Sequence, residues 1–323
     1  MKARLLAFLC FALPLFAHIS YAADDQWDPP APAWLRDAEV INGWYHQWTD
    51  EVLRSRMPGF PVIVGGPADP TRLEKLHQIG VRALLYITLY QQPLEREYKD
   101  FILKEHEDFI VINKDGEQAK SVSKSENAGW YEMCPNNQGF VDISLAYVRK
   151  LMDMGADGVF VDNCFVATPE CKGPAFGKHT HIYPDRDNVY AFQQLLRQVR
   201  KLVKSYGDDK VVIVNAGPLV SQWNTCCDGQ IWESFVATYV ASDYCDAPER
   251  LLKAANDWRD FLDGGKTAVG LSYLGNTIWG RKNEAFYSYC WARMCGFQWA
   301  DWFTGEEDAK PLYQIKLGKP LTD

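Results

Sequence analysis

Met154-Gly155-Ala156-Asp157-Gly158-Val159-Phe160-Val161-Asp162-Asn163 is the stretch that decides the fold. It reads as the end of a helix, a tight turn, a short strand and a carboxylate at the strand's far end. Gly155 suits the left-handed position that closes a helix. Gly158-Val159-Phe160-Val161 is an unbroken apolar run, the pattern of a strand covered on both faces. Such strands build parallel sheets, where reactive groups gather just beyond the carboxyl ends. Asp162 stands at that point among apolar neighbours, so solubility explains it poorly, and it is the first candidate for a catalytic residue. Asp157, at the opposite end of the strand, is expected to tie a turn.

Working outward, the strand–helix unit recurs. Upstream, residues 39–45, 61–66 and 81–89 predict strands. Asp69-Pro70 opens a helix that ends at Gly80, with Asp as N-cap and Pro in the first turn. An inserted segment follows the third strand and carries a hairpin at Asp115-Gly116. Residues 142–154 predict the helix feeding the fourth strand. Downstream come an amphipathic helix over 187–206 and strands over 211–215 and 230–233, the latter ending in Glu233. A helix over 248–262, a strand over 267–271, a helix over 283–294, a strand over 296–301 and a closing helix over 308–317 complete the series. Eight such units in 323 residues predict an α/β fold: a single (β/α)8 TIM barrel over 39–323, with an inserted segment between strands 3 and 4. A doubly wound sheet would carry a glycine-rich phosphate turn after its first strand. Gly65-Gly66-Pro67 does not fit, because Pro67 lacks the backbone donor.

Lys2 and Arg4 precede an apolar run over 5–17, and Ser20-Tyr21-Ala22 offers small residues for cleavage. Residues 1–22 are therefore expected to be a signal peptide and 23–38 a leader. The run is too short to span a bilayer. No integral membrane segment is expected after cleavage, a membrane anchor being the alternative, and the protein is expected to be secreted or periplasmic. Nine cysteines become an even set once Cys10 leaves with the signal. In an oxidising compartment disulfides are expected, Cys164 with Cys171, and Cys226 or Cys227 with Cys245 or Cys134. Zinc is the rival reading, unsupported by a paired Cys-x-x-Cys or by neighbouring histidines. His179 and His181 are expected in a solvated loop. No metal and no cofactor is expected.

A net charge of −8 argues against an electrostatic grip on nucleic acid or anionic lipid. Twelve tryptophans offer apolar faces for sugar rings, though each can equally fill the core. The strand ends supply aromatics, amides and a few carboxylates, which suit a poly- or oligosaccharide better than a phosphate or a metal. Candidate substrate-binding residues are Trp44, His46, Tyr86, Asn163, Asn215, Tyr273, Trp299 and Asp301. Hydrolysis of a glycosidic bond requires two carboxylates flanking it. Asp162 is read as nucleophile or base, and Glu233, beside Trp232 and Phe235, as general acid. No serine lies in a Gly-x-Ser-x-Gly elbow. The alternative is a barrel that binds carbohydrate without cleaving it.

The run Gly155 to Asn163, Asn215 after the fifth strand and Trp232-Glu233-Ser234 at the sixth resemble motifs of secreted barrel glycosidases related to endo-α-1,4-polygalactosaminidase, within a broader group of extracellular glycosyl hydrolases. The segment 109–136, followed by a helix into the fourth strand, is similar as well. The resemblance implies Asp162 and Glu233 as the working pair and an α-linked polysaccharide, amino-sugar chains included, as substrate class. The cysteine-bearing loops, 164–171 and 226–227, depart from that pattern.

Overall fold

The computed structural model describes residues 28–38, 40–41, 61–65, 69–92, 97–98, 101–102, 105–120, 130–236, 248–273 and 278–301. In chain order the elements are α1 (Ala33–Arg36), β1 (Val62–Val64), α2 (Pro70–Gln78), β2 (Ala83–Thr88), β3 (Gln91–Gln92), β4 (Glu97–Tyr98), β5 (Phe101–Ile102) and β6 (Tyr131–Glu132). Then come α3 (Gln138–Asp153), β7 (Gly158–Asp162), α4 (Asn188–Lys204), β8 (Val211–Asn215) and β9 (Gly229–Glu233). The last are α5 (Pro248–Asp257), α6 (Arg259–Asp263), β10 (Thr267–Ser272), α7 (Ile278–Met294) and β11 (Gln298–Asp301).

Seven strands form one parallel sheet in the order β1-β2-β7-β8-β9-β10-β11. Val40 bridges in parallel to Trp299, and Ile41 N donates to Trp299 O at 3.0 Å. This continues the series past β11, where the strand predicted over 39–45 belongs. The rest of that predicted strand lies outside the described residues, as do the segment expected to be a signal peptide and the helix predicted over 308–317. The sheet curls in the manner of a TIM barrel. Ile41, Ile63, Leu84, Phe160, Ile213, Ile231, Leu271 and Ala300, drawn from successive strands, form one buried cluster inside it. Alternate residues such as Val159, Val161, Val212 and Val214 face outward and pack under Leu73, Phe140, Val148, Leu195 and Val199 of the helices. Burial on both faces is why these strands read as continuous apolar runs rather than alternating ones. Among the described residues no helix is long and apolar enough to cross a membrane.

Local chemistry fixes the helix starts. Asp69 accepts from Thr71 N at 3.0 Å with Pro70 in the first turn, and Asp187 accepts from Tyr190 N at 2.8 Å. α3 begins at Gln138 instead of the predicted 142, because Asn137 caps it through Phe140 N. The helix predicted over 248–262 breaks at Trp258 into α5 and α6. Between β2 and α3, Asn113 N donates to Glu117 O at 2.8 Å, and Gly116 takes the left-handed conformation (φ +83°) that closes the Asp115-Gly116 turn.

The N-terminal mouth of the barrel is corked and cross-tied. Ala31 and Leu35 join the interior cluster, and Trp34 Nε1 donates to Asp209 O. Buried Arg200 donates to Asp228 and to Asp28. Asp157 ties its turn as expected, accepting from Ala83 N (2.9 Å), Arg82 (2.8 Å) and Lys210 (3.1 Å), with His77 Nε2 at 2.8 Å. Burial pushes the Asp157 carboxyl up, but the Ala83 amide and the two cations outweigh it and leave it below the ordinary value.

Candidate active site

The opposite mouth holds the acids. Strand alternation puts Phe160 inside, so Asp162, two residues on, also faces the barrel interior and closes β7 at its carboxyl end. The same phase carries Ile213 to Asn215 and Ile231 to Glu233. The three polar residues thus end three adjacent strands and point into one space.

Asn215 sits between the two carboxylates. Its Nδ2 donates to Asp162 Oδ1 and to Glu233 Oε2, each at 2.8 Å. Those two oxygens can be no farther apart than twice 2.8 Å, about 5.6 Å. Gly217 N donates to Asn215 Oδ1 at 2.9 Å and so fixes which end of the amide faces the acids. Tyr86 Oη donates to Asp162 Oδ2 at 2.8 Å, and Asn163 Nδ2 lies 3.4 Å from the same oxygen. Tyr273 Oη donates to Glu233 Oε1. Burial raises the Asp162 carboxyl, the charge of Glu233 raises it further, and the bonds from Tyr86 and Asn215 hold the result to about 6.

The residues following the two acids, Asn163 (φ 55°) and Ser234 (φ 61°), are the two non-glycine residues with positive φ among those described. The left-handed conformation costs a residue such as Ser234 about 1–2 kcal/mol, and Asn163 less, because a short amide side chain tolerates it. Strain of this kind gathers where side chains must be aimed, and here it turns the chain sharply away just past each acid.

A cavity of about 210 Å³ opens over the acids, lined by Gln91, Asp162, Asn163, Phe165, Asn215, Ala216, Gly217 and Glu233. It is smaller than pockets for drug-sized ligands, which span roughly 300–1,000 Å³. Phe165 is half exposed beside it and offers an apolar face for stacking. Phe165, Gln91 and Gly217 were not among the residues expected from sequence. For Phe165 the available signal was its position three residues after a strand-terminal acid.

Of the expected site residues, Tyr86, Asp162, Asn163, Asn215, Glu233 and Tyr273 come together. Trp299 does not. It is 1% exposed, its Nε1 donates to Ser288 on α7, and its ring meets Tyr289 edge-on, so it belongs to the helix-side core. Ala300, one residue on, takes the inward phase. Trp232 and Phe235 likewise pack with Phe297 on the helix side and not beside the carboxylate of Glu233. Trp44 and His46 lie outside the described residues, and of Asp301 only the backbone, ending β11, is described.

The disulfides expected from sequence are absent among the described cysteines, all seven of which are free; Cys245 lies outside them. Cys164 is buried in the helix-side cluster with its Sγ 3.2 Å from Val161 O, whereas Cys171 Sγ lies beside His179. His179 and His181 are not solvated either. They are half-buried and lie with Cys134 and Cys171 in one four-residue group, apart from the acids.

The fold is shared with solved glycoside hydrolases. The glycoside hydrolase domain of PelA from Pseudomonas aeruginosa matches with a TM-score of 0.53 at 14% identity, over 81% of this chain and 94% of that domain. α-L-Fucosidase isoenzyme 2 from Paenibacillus thiaminolyticus gives 0.56 at 12% identity, over 86% of this chain and 47% of that one. The α-galactosidase TtGalA from Thermus thermophilus, in complex with p-nitrophenyl α-D-galactopyranoside, gives 0.51 at 15% identity, over 90% and 64%. No family model and no curated protein matches the sequence. At these identities the likeness is one of fold.

Proposed function

We propose that the protein is a glycoside hydrolase, exported from the cell, that cleaves an α-linked poly- or oligosaccharide by a two-carboxylate mechanism. One observation carries the reading: Asp162 and Glu233 face the same small cavity, held within about 5.6 Å of each other by one amide group at 2.8 Å from each. Carboxyl groups about 5–5.5 Å apart suit retention, whereas inversion needs about 6.5–9.5 Å to admit a water. Asp162 is the nucleophile, because Tyr86 and Asn215 fix both of its oxygens. Glu233, on the longer side chain and steadied by Tyr273, is the acid and then the base.

In the first step Glu233 gives its proton to the glycosidic oxygen as the bond to the anomeric carbon breaks. An oxygen of Asp162 bonds to that carbon, forming a glycosyl ester. In the second step Glu233 takes a proton from water, whose oxygen attacks the anomeric carbon and releases Asp162. Two inversions give net retention. Phe165 provides the stacking face.

The test is release of reducing ends from a polysaccharide panel by the wild-type protein, Asp162→Asn and Glu233→Gln, with products sized. The wild type is expected to cleave, and each variant to lose at least about 1,000-fold in kcat (roughly 4 kcal/mol). Equal release by all three proteins overturns the mechanism. Binding without release by the wild type makes the protein a carbohydrate-binding barrel instead.

A further inference from the structure

Apart from the acids, four side chains with metal-binding atoms meet. Cys134 follows β6, while Cys171, His179 and His181 lie on the loop between β7 and α4. Their ligand atoms all lie within 4.8 Å of one another. Cys134 Sγ is 3.6 Å from His181 Nε2, and Cys171 Sγ is 3.5 Å from His179 Nε2. Tetrahedral zinc, with Zn–S of about 2.3 Å and Zn–N of about 2.0–2.1 Å, holds sulfur and nitrogen ligands about 3.6 Å apart. The spacings agree. We propose that Cys134, Cys171, His179 and His181 form a structural zinc site that fastens the β7–α4 loop to the chain leaving β6.

The surroundings are those of a thiolate site. Ile112 N and Gly173 N each donate to Cys171 Sγ from 3.4 Å, the kind of outer contact that orients a metal ligand. Gly173 is required by the geometry, since a Cβ there would lie 2.2 Å from His179 Cε1. His179 Nδ1 is buried without a hydrogen-bond partner among the described residues, so Nε2 carries the ring's polar interactions. Two thiolates and two imidazoles select zinc over the oxygen-seeking magnesium and calcium. All four positions come from the protein, leaving none open for a substrate, which makes the role structural.

The mechanical consequence reaches the pocket. The fastened loop starts at Asn163 and carries Phe165, both of which line the cavity. A metal holding Cys171, His179 and His181 against Cys134 limits how far that wall can move.

The test uses the full-length protein, produced with zinc and purified reduced without chelator. About one zinc per chain is expected by mass-spectrometric metal analysis. Exchange for cobalt(II) in the unaltered protein is expected to give thiolate-to-cobalt charge-transfer absorption and the intense visible bands of tetrahedral cobalt, a readout that needs no variant to fold. Cys171→Ser and His181→Ala are expected to bind zinc at least about tenfold more weakly. Three results overturn the proposal. They are a wild-type metal content no higher than that of the Cys134→Ser/Cys171→Ser double variant, an octahedral cobalt spectrum, and a Cys134–Cys171 disulfide in the unreduced protein. None of these measurements depends on Asp162 or Glu233, so the glycosidase reading stands or falls separately.

Discussion

Asn215 reaches both acids from one nitrogen. Removing a preorganised donor of this kind commonly costs about 100- to 1,000-fold in kcat. Asn215→Ala is expected to lose that much in steady-state assays while its thermal unfolding stays cooperative. Asp162 has the opposite effect on stability. Its carboxyl titrates at about 6 in the folded protein against 3.8 ordinarily, so the fold binds that proton more tightly than the unfolded chain does. At pH 7 the ionised group is therefore destabilising, and the penalty is relieved as pH falls through 6 toward 4. Asp162→Asn is expected to stabilise the protein by about 1–2 kcal/mol at pH 7, with the gain gone near pH 4, as denaturant titrations at the two pH values would show. A variant less stable than wild type at pH 7 contradicts this.

At the scale of elements, the glycine that opens β7 carries more than turn propensity. A Cβ on Gly158 would lie 2.1 Å from Val211 O, the backbone of the adjacent strand. Gly158 and Val211 are paired in the β7–β8 register, so the clash falls on the sheet's own backbone. Gly158→Ala is expected to destabilise by about 3 kcal/mol or more, measured by chemical denaturation; a change within about 0.5 kcal/mol would mean the strands part easily. Strands were legible in the sequence because burial on both faces writes them as short apolar runs closed by glycine or a polar residue. Asp162, Asn215 and Glu233 were legible for the same reason, each being the first polar residue after such a run. Trp299 was misplaced because strand-end position was read without phase, and Ala300 beside it is the inward residue. The Cys134, Cys171, His179 and His181 group was invisible to spacing rules, since the fold and not the local sequence brings Cys134 to the others. The early start of α3 was missed because Asn137 was not recognised as its cap.

For the molecule as a whole, the two ends of the curled sheet differ, with ionic ties at one and the facing carboxylates at the other. Attack by Asp162 requires its ionised form, so kcat/KM is expected to fall about tenfold per pH unit well below the value near 6. A pH–rate profile in which activity instead falls as pH rises through 6 would exchange the roles of Asp162 and Glu233. The first-formed product is expected to keep the anomeric configuration of the substrate, read by proton NMR before mutarotation. An inverted product would overturn the retaining assignment.

The cork made by Ala31 and Leu35 has a bearing on orientation. Asp28 is pinned to Arg200 at the mouth opposite the acids, so the first described residues enter on the side away from the cavity. A tether joined directly ahead of Asp28 would therefore pull on the closed end of the sheet and spare the end that carries Asp162 and Glu233.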